Sequence, residues 1–122
     1  MSFTIAQVAE QTGLSAHTLR YYERDGLLPG EVGRASSGRR AYSERDVGGI
    51  IMVARLRATG MPVAEIRRYA QLVRDGDASV PKRLNLLLEH REKVRDQLRQ
   101  AQAHLAAIET KIELYRGFVE GS

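Results

Sequence analysis

The chain contains no cysteine. Disulfides, thiolate zinc sites, iron–sulfur clusters and thiol redox sensing are excluded together, because each needs the sulfur. It also lacks any apolar run of the ~18 residues that a membrane-spanning helix requires. The N-terminus has none of the basic, apolar and small-residue regions of a secretory signal. A soluble cytoplasmic protein with no membrane partner is therefore expected. The three histidines, His17, His90 and His104, are scattered. His90 and His104 would stand roughly 21 Å apart on one helix at ~1.5 Å per residue, too far to share a metal. No metal and no cofactor are expected. No acids and base pair up on one face of a pocket-forming fold, so an enzyme is not expected either.

What the chain does contain is charge and helix punctuation. Its 122 residues are 28% charged and 43% hydrophobic, enough for one small domain plus an appendage and too apolar for a disordered chain. A net charge of +4 permits nucleic-acid binding without establishing it, so the placement of individual arginines matters more than the total.

Helix starts recur early. Thr4 with Gln7 forms a capping box, and Phe3 with Val8 the hydrophobic staple that accompanies it. Ser15 caps a second helix between Leu14 and Leu19, and Ser43 with Asp46 caps a third between Tyr42 and Val47. Gly13 leaves a turn of three or four residues between the first two helices, the helix-turn-helix arrangement. Gly26 ends the second helix and Gly60 the third. Pro62 opens the fourth near its first position, Asp75-Gly76-Asp77 ends it, and Ser79-Val80-Pro81 starts the last.

Between Gly30 and Tyr42 the chain is rich in glycine, serine and arginine, which predicts a short hairpin turning at Ser36-Ser37-Gly38. A flexible linker would explain the glycines but not Arg34, Arg39 and Arg40 flanking a tight turn. From Pro81 to Val119, Leu84, Leu87, Arg91, Val94, Leu98, Ala101, Leu105, Ile108, Ile112, Tyr115 and Val119 alternate three and four residues apart. This heptad seam, interrupted at Arg91 and widened by Leu86 and Leu88, needs a partner helix, and a second copy of the chain is the simplest one. The dimer interface is accordingly placed on Leu84, Leu87, Val94, Leu98, Ala101, Leu105, Ile108, Ile112 and Tyr115.

In the second helix Leu19 and Tyr22 face the first. Ala16, His17, Arg20, Tyr21 and Arg24 are left for another surface. Small residues followed by arginine and tyrosine suit a major groove: Arg20 could pair with guanine or phosphate, and the Thr18 and Tyr21 hydroxyls with phosphate oxygens. The hairpin arginines could follow a phosphate backbone or enter a minor groove. A solvated amphipathic helix and ordinary surface arginines are the competing readings of the two segments.

Leu19-Arg20-Tyr21-Tyr22-Glu23, Gly26-Leu27-Leu28-Pro29, Gly38-Arg39-Arg40-Ala41-Tyr42 and Leu56-Arg57-Ala58-Thr59-Gly60-Met61, in this order, resemble the MerR family of bacterial regulators. The resemblance is close over residues 3 to 76 and architectural beyond. It implies a mainly α fold: a winged helix-turn-helix with a small β-hairpin wing over residues 1–76, then a coiled-coil dimerisation helix over 77–122, paired antiparallel. It implies DNA contacts from Ala16, His17, Thr18, Arg20 and Tyr21 on the second helix. Further contacts come from Arg34, Gly38, Arg39 and Arg40 on the wing, and from Thr4 at a helix N-terminus, while Tyr22 belongs to the core.

The implied function is a transcriptional regulator that binds an inverted-repeat promoter operator in double-stranded DNA as a homodimer. It would distort that DNA and realign promoter elements for RNA polymerase. Arg39 stands where the family often has an aromatic residue, and Pro62 where it usually has a hydroxyl cap. The family's sensing chemistry has no counterpart here. Metal sensors use cysteines at the ends of the dimer helix, where this chain has Ser79. Aldehyde- and thiol-stress sensors use one in the third helix, where it has Val53-Ala54-Arg55. Drug-sensing members add a C-terminal domain, which is not expected here. The effector is thus unidentified: constitutive binding, repression, or a small molecule among Tyr69, Leu72, Leu84 and Tyr115 all stay open, with core packing as the other use of those four. Within the DNA-binding class the runner-up is a recombination accessory factor with a winged head, against which the long heptad helix argues; outside the class stands a coiled-coil interaction adaptor.

Overall fold

The computed structural model describes residues 2–30 and 32–121 and divides after Leu86 into two compact units. The first holds strand β1 (Ser2–Phe3), helices α1 (Ile5–Thr12) and α2 (Ala16–Arg24), and strands β2 (Gly33–Arg34) and β3 (Arg40–Ser43). Helices α3 (Glu44–Ala58) and α4 (Val63–Arg74), a 3-10 turn (Asp77–Ser79) and the start of α5 (Val80–Glu120) complete it. The remainder of α5 makes up the second unit. Among the described residues no helix is long and apolar enough to cross a membrane.

The helix starts fall where side-chain chemistry puts them. Thr4 Oγ1 accepts from the Gln7 amide at 3.2 Å while Gln7 Oε1 accepts from the Thr4 amide at 2.8 Å, and Ser43 and Asp46 repeat the exchange at 3.0 and 2.8 Å. Ser15 Oγ accepts from the Thr18 amide at 3.0 Å. Each such cap contributes about 1 kcal/mol by satisfying amides that the first turn leaves without partners. Gly13 closes α1 in the left-handed region at φ 75°, a conformation that would strain a residue with a Cβ, and this lets α2 fold back across α1. Pro62 lies one position earlier than expected: it is the N-cap of α4, with no side-chain cap, because the first helical torsions begin at Val63.

The hairpin forms with the expected turn. The Gly38 amide donates to the Ala35 carbonyl and the Ala35 amide to that of Arg39, both at 2.8 Å, with Gly38 at φ 83° as the turn's left-handed residue. Its second strand also pairs with the chain's beginning, which sequence reasoning had used only for a staple. Ser2 and Phe3 lie opposite Ser43 and Tyr42, giving an antiparallel sheet of order β1-β3-β2.

Val8, Leu19, Leu27, Tyr42, Ile50, Val53, Met61 and Ile66 are fully buried and form the centre of the first unit. Each Leu, Ile or Val so buried stabilises by about 1.5–3 kcal/mol. Two α4 arginines fasten the segment after α2: Arg67 donates to the Asp25 carbonyl at 2.8 Å and Arg74 to that of Leu28 at 2.6 Å. Ser79 is buried, its hydroxyl in reach of the Leu72 and Gly76 carbonyls and accepting from Arg83 Nε at 3.0 Å.

Helix α5 runs unbroken for 41 residues, about 60 Å at 1.5 Å per residue. Leu84, Leu98, Leu105, Ile108, Ile112, Tyr115 and Val119 are all exposed on it, while Leu87 and Val94 are half-buried. Val80, Leu114 and Phe118 are further exposed apolar residues beside the seam. Of the four residues considered for an effector, Leu72 is buried, Tyr69 half-buried, and Leu84 and Tyr115 exposed.

Candidate nucleic-acid interface

The two buried residues of α2, Leu19 and Tyr22, turn one face of the helix inward. His17, Arg20 and Arg24 are exposed on the other side, with Ala16, Thr18 and Tyr21 half-buried at its edges. Thr18 is bound into the cap, its Oγ1 accepting from Ser15 Oγ at 3.0 Å, which leaves its own hydroxyl proton to donate. The Arg24 guanidinium lies 5.8 Å from the centre of the Tyr21 ring and 3.3 Å from Asp25.

Beside this face lies a concavity of about 530 Å³ lined by Thr4, Ile5, Ala6, Arg20, Arg34, Gly38, Arg39 and Arg40. It gathers six of the ten residues expected to meet DNA, from three separate stretches of chain: the start of α1, the middle of α2 and the wing. Part of its lining is the N-terminus of α1, where amide N–H groups and the helix dipole favour an anion. Around it stand four arginines. Ala16, His17, Thr18 and Tyr21, the other expected contacts, lie outside that lining, on α2.

One residue of this region was missed. Glu23 Oε2 accepts a hydrogen bond from Arg40 Nε, and its other oxygen stands 3.9 Å from Arg34 Nη2. The Arg40–Glu23 hydrogen bond makes that guanidinium still harder to deprotonate than usual. The only signal in the sequence was its place in the Leu19–Glu23 motif, since an acid 17 positions before its partner has no local pattern.

Tyr42, on β3, is fully buried, and burial pushes its phenol above the ordinary value, as it does for Tyr22. The Tyr42 hydroxyl has no hydrogen-bond partner among the described residues. Leaving a buried donor unmatched costs about 1–3 kcal/mol. Replacing Tyr42 by Phe is therefore expected to raise the stability by about 1 kcal/mol. Urea denaturation, with an unchanged slope, measures this; a loss of stability would mean that the hydroxyl has a partner in solution.

Residues 3–72 match the family model described as MerR HTH family regulatory protein, and residues 50–111 match the model MerR, DNA binding. The chain is 34% identical over 116 residues to an uncharacterized HTH-type transcriptional regulator of Haemophilus influenzae, covering 95% of this chain and 85% of that one. It is 43% identical over 90 residues to the HTH-type transcriptional regulator AdhR of Bacillus subtilis, covering 74% and 64%. Among solved structures it is similar to HiNmlR, a MerR family regulator lacking the sensor domain, bound to promoter DNA. The TM-score there is 0.88 at 34% identity, with 100% of this chain and 97% of that one covered. With these matches running along nearly its whole length, the chain belongs to the MerR family of DNA-binding, HTH-type transcriptional regulators.

Proposed function

We propose that the protein acts in the cytoplasm as a homodimer, joined through α5, that binds an inverted-repeat operator and distorts it so that RNA polymerase engages the promoter. In this reading residues 1–76 form the winged head and 77–122 the dimerisation segment. The observation that carries it is the basic concavity, where Thr4, Arg20, Arg34, Gly38, Arg39 and Arg40 meet beside the outward face of α2. With α2 in the major groove, Ala16, His17, Thr18, Arg20 and Tyr21 face bases and phosphates. The concavity then falls on the flanking backbone, where Arg34, Arg39 and Arg40 offset the cost of bending.

The dimer rests on the exposed seam from Leu84 to Val119. The pairing in this reading is antiparallel, as the family resemblance implies, and the seam's one charged member is compatible with that direction. Parallel helices would stack Arg91 on the Arg91 of the other copy, whereas antiparallel helices set it opposite the apolar stretch around Ile108 and Tyr115. Two heads held this way read half-sites of opposite orientation.

Fluorescence anisotropy tests the reading, using duplexes from the protein's own upstream region beside a scrambled duplex at physiological salt. Arg20→Ala is expected to weaken binding to the preferred duplex by about 5- to 150-fold, the range of one lost base or phosphate contact. Equal binding by the variant and the wild type would remove α2 from the interface.

A further inference from the structure

An acid beside a phosphate-binding face is an electrostatic liability: Glu23 repels the backbone that Arg20, Arg34, Arg39 and Arg40 attract. Its geometry points to what offsets that cost. The wing is weakly held by its own strands, since β2 has two residues, both exposed, and pairs only as Gly33 with Ala41 and Arg34 with Arg40. So short a ladder does not fix the direction of a hairpin. Glu23, in the last turn of the recognition helix, reaches across to both strands at one rung of that ladder, the Arg34–Arg40 pair. It accepts from Arg40 and lies 3.9 Å from Arg34. The carboxylate and its two guanidinium neighbours are each only partly exposed, at 24, 27 and 51% for Glu23, Arg40 and Arg34. The Arg40 contact is thus partly shielded from water and has charge on both sides, which makes it stronger than a neutral hydrogen bond.

We infer that Glu23 is a positioning residue for DNA recognition, which locks the wing to the recognition helix so that both meet the DNA as one rigid surface. It touches no DNA itself. Its negative charge lowers affinity for nucleic acid in general, and its geometry raises affinity for the one sequence on which helix and wing fit together. The inference rests on the DNA-contact reading of α2 and the wing given above.

Charge alone and positioning predict opposite signs for Glu23→Gln, which keeps the shape and removes the charge. If only charge mattered, the variant would bind every duplex more tightly. Positioning predicts about tenfold weaker binding to the duplex that the wild type selects from a random library. Binding to a scrambled duplex should be unchanged or tighter, so that discrimination between the two collapses. Backbone amide relaxation should also show faster, larger motion at Ala35, Ser36, Ser37 and Arg39 in the DNA-free variant. Should Glu23→Gln lower the melting temperature too far for titration, Glu23→Asp serves, because it keeps the charge but shortens the reach. The same split between duplexes is expected of it.

Selected-duplex affinity equal to or above that of the wild type, or unaltered wing dynamics, would overturn the inference. A wild-type protein with no preference between the duplexes would instead remove the underlying reading.

Discussion

Leu105→Glu is expected to leave the protein monomeric at micromolar concentration and to weaken operator binding by about 10²- to 10⁴-fold. That factor is the advantage gained when a second head binds as an intramolecular event, and it vanishes when the heads are no longer joined. Leu105 lies in the middle of the seam and is 53% exposed in the single chain, so the substitution removes little that the protomer itself buries. Glutamate and leucine have similar helix propensities, and α5 remains helical on that account. In a dimer the carboxylate would instead be enclosed among apolar side chains without a partner, a cost that no rotamer escapes along a narrow seam. Sedimentation equilibrium and anisotropy on the same samples decide it. A variant that still sediments as a dimer and keeps its operator affinity would place the interface elsewhere.

Much of this architecture was legible because its determinants are local. A capping box is written within four residues, so Thr4–Gln7 and Ser43–Asp46 announced α1 and α3, and left-handed glycines at 13 and 38 marked the two turns that matter for the site. The exposed heptads of α5 were readable for the same reason, since a helix repeats its faces at a fixed interval. What escaped was non-local. A strand of two residues has no periodicity, and β1 exists because Phe3 finds Tyr42, 39 positions away. Glu23 shows the same limit within the site. Its partners are on the wing, and only the folded hairpin brings Arg34 and Arg40 to it. The 3-10 turn at Asp77–Ser79 was likewise unforeseen, because it depends on the Ser79 hydroxyl reaching back to the carbonyls of Leu72 and Gly76. The arginines of the wing stood out in the hairpin segment itself; the fold supplied the carboxylate that connects two of them.

The second large effect separates two residues that are neighbours in the chain. Leu19→Ala is expected to destabilise the fold by about 2–5 kcal/mol, whereas Arg20→Ala should change stability by no more than about 0.5 kcal/mol. Leu19 is fully buried, and its removal leaves a cavity under α2 that the capped, tightly turned helix cannot collapse to fill. Arg20, one position on, is exposed and lines the basic concavity. For a unit of this size, each kcal/mol lowers the melting temperature by about 4–8 °C, so Leu19→Ala should melt about 8 °C or more below the wild type. The two variants should both bind operator poorly at 37 °C, but for different reasons that cooling distinguishes. At low temperature the Leu19→Ala protein refolds and regains affinity, while Arg20→Ala stays weak because its surface lacks a contact. If Leu19→Ala melted within a degree or two of the wild type, α2 would not be docked on α1 as described. The separation of an inward face that holds the helix from an outward face that reads DNA would then fail with it.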